Sequence, residues 1–157
     1  MNNNYFGFLN DTVDVRTGDG LNDELLEHLY YIKKDGTKLR APKGGTTDGL
    51  SVPRCVQNII PATGGDWKSG VIHDSAYRGQ LEVLDEIGEW RKALYSQAQS
   101  DNLILEAMES QEVSWIMRYT IYRALRMFGS KAYKDDHTII FASENSSLDS
   151  SYDGADK

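Results

Sequence analysis

Two stretches of helical apolar spacing stand back to back in the C-terminal half of this chain, and nothing else constrains its fold as strongly. From about Gln97, the residues Leu103, Ile104, Ala107 and Met108 recur at intervals that place them on one helical face. After a break near Ser110-Gln111, Met117, Ile121, Ala124, Leu125 and Phe128 mark a second stripe from Ser114 to Phe128. Gly129 then stands where helix-ending glycines are found. A third helix is expected from Trp67 to about Arg78, with Asp66 as cap and Gly79 at its end; Trp67 with Val71 and Ile72 with Ala76 have helical spacing. Pro53 suits the first turn of a short helix running to about Ile60, with Ser51 as its cap.

Upstream, Asp35-Gly36 is a tight-turn signal between two short strand-like runs and predicts a β-hairpin over 28–42. Residues 1 to about 22 are polar with a few apolar anchors (Tyr5, Phe6, Phe8, Leu9), as in an edge strand or an irregular arm. The Glu-rich stretch 80–95 reads as helical in its later part, weakened by Gly88. His137 to Phe141 has the character of a last short strand. The expected fold is therefore α+β: a small N-terminal β-hairpin or sheet packed on three to four helices, an antiparallel pair of which carries His73 and Asp101. The expected organisation is an arm over 1–24, one globular domain over 25–141, and a disordered acidic Ser/Asp-rich tail over 142–157.

With 157 residues the chain has the length of one ordinary domain, and 39% apolar with 26% charged residues is a globular composition. A net charge of -7 argues against a general nucleic-acid binder, which needs a basic face. Cys55 is the sole cysteine, so no intramolecular disulfide is expected, and a small core residue accounts for it better than a nucleophile does. No apolar run reaches the length of a transmembrane segment, and Met1-Asn2-Asn3-Asn4 does not open a signal peptide. The expected location is a cytoplasm.

The chemistry-bearing candidates centre on His73-Asp74. Neighbours on a helix diverge by roughly 100°, so the two side chains are expected to serve different partners. Alone, the pair reads better as a hydrogen-bonded core histidine beside a solvated aspartate. Asp101 adds to it, because its helical neighbours Ile104, Leu105 and Met108 are apolar and turn it inward. A buried carboxylate needs a partner, and His73 with Asp101 would form a general-base arrangement; the competing role for Asp101 is a helix N-cap. Tyr77 lies one turn after His73 on the same face. Asp48, in the glycine-rich loop 43–54, is either a turn aspartate or, with Asp74 and loop carbonyls, part of a cation site. Oxygen ligands suit calcium or magnesium; zinc or manganese would need His73 as a ligand. Arg118, Arg123 and Arg126 read as a solvated helix face, or as a contact for an anionic lipid headgroup or acidic partner. His28 and His137 have no supporting context, and Ser51 lacks the setting of a serine hydrolase.

Four runs then carry a resemblance. They are Ala41-Pro42-Lys43-Gly44-Gly45-Thr46-Thr47-Asp48-Gly49-Leu50-Ser51-Val52-Pro53-Arg54, His73-Asp74-Ser75-Ala76-Tyr77-Arg78-Gly79, Ser100-Asp101, and Arg118-Tyr119-Thr120-Ile121-Tyr122-Arg123-Ala124-Leu125-Arg126-Met127-Phe128-Gly129. Over about residues 25–133 the chain resembles a phage-encoded family, domain-of-unknown-function family 1353, which implies a bacteriophage or prophage origin and no particular activity. More distantly, His-Asp-x-x-Tyr on one helix with a later aspartate is similar to the core of phospholipase A2, especially the disulfide-poor version in parvovirus capsid proteins. That likeness implies His73 as base, Asp74 as calcium ligand, and Tyr77 and Asp101 in support. Two functions follow as expectations. One is a calcium-dependent hydrolase acting on a phospholipid. The other is a non-enzymatic virion or tail component, or an accessory factor, that binds other phage structural proteins or a host protein, located in the host cytoplasm or in the virion. Peptidoglycan hydrolysis with a zinc site is a further alternative.

Overall fold

The computed structural model describes residues 5–17, 23–47, 67–131 and 133. The expected hairpin forms: β4 (Leu29–Ile32) and β5 (Lys38–Ala41) pair antiparallel, Leu29 opposite Ala41 and Tyr31 opposite Leu39. Gly36, at φ 86°, makes the turn that most residues would strain to make. Strand alternation buries Leu29, Tyr31, Leu39 and Ala41 on one face and leaves Tyr30 and Arg40 on the other. There Arg40 pairs with Glu82 and lies 4.5 Å from the Trp90 ring.

The expected fold is overturned by how far the β structure extends. The hairpin is the middle of a five-stranded antiparallel sheet in the order β1-β4-β5-β7-β8, where β1 is Gly7–Phe8, β7 is Glu82–Leu84 and β8 is Trp90–Lys92. A second sheet, β2-β3-β6, joins Val15–Thr17, Asp23–Leu25 and Thr46–Thr47. Two sheets with eight strands in all, and three helices, among the described residues replace a small hairpin or sheet on three to four helices.

The later part of 80–95 is also strand rather than helix. Asp85 accepts hydrogen bonds from the backbone N–H of Ile87 and of Glu89, and Gly88 sits at φ 87°, so the Glu-rich stretch turns back on itself between β7 and β8. The expected short helix to Ile60, the Asp66 cap, the strand at 137–141 and the tail from 142 lie outside the described residues.

The helices are α1 (Trp67–Tyr77), α2 (Gln97–Ser110) and α3 (Trp115–Phe128). Ser96 caps α2 in a capping box with Gln99, so Asp101 is not the N-cap. Helix α2 divides its apolar residues between two cores. Leu103 and Ala107 join Val71, Ile72 and Ala76 of α1 over the five-stranded sheet, whereas Ile104 and Met108 pack on Ile121, Ala124 and Leu125 of α3. Phe128, expected on the buried stripe, is 55% exposed. Gly129 does not end α3 by a left-handed turn. It keeps right-handed helical angles (φ −74°, ψ −14°), and its carbonyl accepts from the Tyr133 N–H.

Candidate active site

Asp101 sits on the seam between the two cores and is fully buried. Three donors from two other helices converge on it. The Tyr77 hydroxyl donates to Oδ1 at 2.5 Å, His73 Nε2 lies 3.4 Å from the same oxygen, and Arg126 Nη1 donates to Oδ2 at 3.3 Å. A carboxylate can only accept, so Nε2 carries the imidazole proton and Nδ1 the lone pair. The His73 and Tyr77 rings, one helical turn apart on α1, lie 4.1 Å apart. Burial, then the contact with Asp101, push the Tyr77 phenol well above its ordinary range, so it stays protonated and donates.

Asp74 takes a different partner, the Thr47 hydroxyl on β6, which donates to Oδ2 at 2.6 Å. The expectation that His73 and Asp74 serve separate partners needs one amendment, because Nδ1 of His73 is 3.8 Å from Asp74 Oδ1. That is too long for a hydrogen bond but close enough for the charge to act. Burial by itself would lower the His73 pKa. The hydrogen bond to Asp101, then Asp74, outweighs burial, and the net shift is upward.

The sign of that shift sets a pH dependence. Between the ordinary value of about 6.5 and the raised one, the folded state holds a proton that the unfolded chain has lost. The stabilisation is complete below about pH 6.5 and fades as pH rises through the folded value. In urea melts the midpoint is expected to fall over that window for the wild type and to stay flat for His73→Gln.

Arg126 and Thr47 are the two members of the cluster that sequence reasoning missed. Burial of Asp101 signalled that a partner was needed, but Arg126 looks in sequence like its neighbours on a solvated face. Of those neighbours, Arg118 pairs with Glu109 at 2.9 Å with a largely buried side chain, and Arg123 is exposed. His28 uses Nδ1 to accept the Lys43 backbone N–H. Asp48, Ser51, Cys55 and His137 lie outside the described residues.

A cation site is not complete in what is described. Among the described residues no three His, Cys, Asp or Glu side chains stand together as a metal-binding group. One Asp74 oxygen holds Thr47, and the Gly45 carbonyl accepts from the Leu25 N–H as part of the anchoring of the glycine-rich loop to β3. These donors fall short of the six to eight oxygens calcium takes.

Among the described residues, two sheets and three helices surround a buried His–Asp pair to which two of the helices contribute. Residues 23–125 match the family model described as "Protein of unknown function (DUF1353)", about two thirds of the chain, and the chain belongs to that family. No curated protein and no solved structure matches it at a significant level. No helix among the described residues is long and apolar enough to cross a membrane.

Proposed function

We propose that this protein is a hydrolase in which His73 is the general base and Asp101 is the residue that positions it. The carrying observation is that Asp101, fully buried, receives Nε2 of His73 while Tyr77 and Arg126 occupy its remaining capacity. This fixes the ring, its tautomer and its raised basicity together. Nδ1 takes a proton from water as the water oxygen bonds to the ester carbonyl carbon, and His73 returns that proton to the departing alkoxide. The substrate class, a phospholipid ester, comes from the likeness to phospholipase A2.

In the same proposal Asp74, with Asp48 from outside the described residues, would hold calcium, which would supply stabilisation of negative charge on the carbonyl oxygen. Zinc suits the site less, since it would take His73 as a ligand and Nδ1 of His73 is the atom that acts here as base. Mixed-chain phospholipid vesicles, with and without calcium, test the proposal. The wild type is expected to hydrolyse them, and His73→Ala to lose roughly 100-fold or more; equal rates would sink the idea. Elemental analysis of the purified protein reads the metal. Calcium supports the role of Asp74, and zinc points to peptidoglycan hydrolysis instead.

The depth of the cluster favours a second reading, since His73 is 4% exposed. In it the network only fixes helix packing in a phage virion or tail component, or in an accessory protein that binds a host protein in the host cytoplasm. His73→Ala would then lower thermal stability with no activity to lose, and the protein would copurify with particles.

A further inference from the structure

Helix α3 packs on its neighbours through Ile121, Ala124 and Leu125. Its other side is unusually apolar for a surface. Trp115, Ile116 and Tyr119 at one end and Met127 at the other are between 51% and 67% exposed. Trp115, Tyr119, Tyr122 and Arg126 follow one another at helical spacing, and a shallow groove of about 310 Å³ runs between Tyr119, Tyr122, Arg123, Arg126 and Met127.

The charge of this region opposes that of the chain. The protein carries -7 overall, yet from Val113 to Lys134 there is no Asp or Glu, while Arg118, Arg123, Arg126, Lys131 and Lys134 all fall there. Arg118 and Arg126 have carboxylate partners. Arg123 is exposed and has no ion pair among the described residues.

We propose that the outer face of α3 docks on an anionic lipid bilayer. Trp115, Ile116, Tyr119 and Met127 enter the headgroup region, and Arg123 faces lipid phosphates. Apolar and aromatic anchors stand at both ends of a 14-residue helix, about 21 Å long, with basic side chains between them. That layout fits a planar anionic surface better than a compact protein hot spot, which gathers its anchors at one centre. The proposal rests on the hydrolase reading for its purpose, since a phospholipid hydrolase must reach a bilayer, but its evidence is separate. Arg126 borders the docking face while holding Asp101, so the face adjoins the cluster directly.

Co-sedimentation of the full chain with vesicles in chelator tests docking without requiring hydrolysis or a metal. Binding is expected to phosphatidylcholine vesicles containing phosphatidylglycerol, to be much weaker on pure phosphatidylcholine, and to fall with salt. Arg123→Gln is expected to weaken it about fivefold, and Trp115→Ser to weaken it as well. Both positions are exposed, so thermal melts should not move. Equal binding to the two vesicle types, no binding, or unchanged binding by both variants overturns the proposal. So does a dimer that Trp115→Ser dissolves in a protein that ignores vesicles. Binding in chelator together with no hydrolysis in calcium leaves docking standing and removes only the hydrolase.

Discussion

Asp101→Ala is expected to cost about 3 kcal/mol of unfolding free energy, the lower end of what removing one member of a buried ion pair costs. The substitution strips a partner from three donors at once. Tyr77 is 5% exposed and its hydroxyl loses its acceptor, worth about 1–3 kcal/mol for a buried group left unsatisfied. His73, equally buried, loses the larger of the two contacts that together outweigh burial, and its pKa is expected to fall. Arg126 limits the damage, because its side chain is 42% exposed and can turn to water. Asp101→Asn should fall between wild type and Ala. An amide offers only one accepting oxygen, and its NH2 must face Arg126 or the Tyr77–His73 pair, all of them donors. Urea unfolding reads both variants, with a shift in midpoint at unchanged slope. A midpoint for Asp101→Ala within experimental error of wild type would mean that the three donors do not depend on Asp101.

Gly129→Ala is expected to destabilise, although general helix propensity argues for the opposite sign. Gly129 has right-handed helical angles, where alanine gains about 1 kcal/mol over glycine. A Cβ there would stand 2.7 Å from the Tyr77 hydroxyl and 2.6 Å from the Leu125 carbonyl oxygen. The second contact is backbone and cannot move aside cheaply, and the first belongs to the donor that holds Asp101. Overpacking of this kind costs about 1–3 kcal/mol, so the net effect is a loss, read as a lower melting temperature. The imidazole signals of His73 should move with it, since the displaced Tyr77 ring lies against His73. A higher melting temperature would show that the Tyr77 hydroxyl does not occupy that space.

These two variants mark where sequence reasoning reached and where it stopped. Helical periodicity located α1, α2 and α3 within a residue or two, and the apolar neighbours of Asp101 showed that it faces inward. Asp35-Gly36 located the β4–β5 hairpin. Strands of two or three residues, such as β1, β6 and β7, are too short for alternation to show. In β7–β8 the glutamates favoured helix, while the turn depends on backbone hydrogen bonds to the Asp85 side chain. Two sheets therefore formed where one small hairpin or sheet was expected. Gly129 was legible as a helix boundary, but its role is to leave room for Tyr77, a tertiary contact with no local signature. Arg126 and Thr47 were invisible for the same reason: each becomes part of the cluster only when α3 or β6 is brought against it.

The pH dependence of phospholipid hydrolysis by wild type, His73→Ala and Asp101→Asn tests the central claim most directly. If His73 is a base held by Asp101, the wild-type rate rises with pH through a limb above the ordinary histidine range. In Asp101→Asn, assayed where that variant remains folded, the limb moves to lower pH with a reduced plateau, and His73→Ala is inactive throughout. A rate that His73→Ala retains, or a limb that stays in place in Asp101→Asn, would contradict the account.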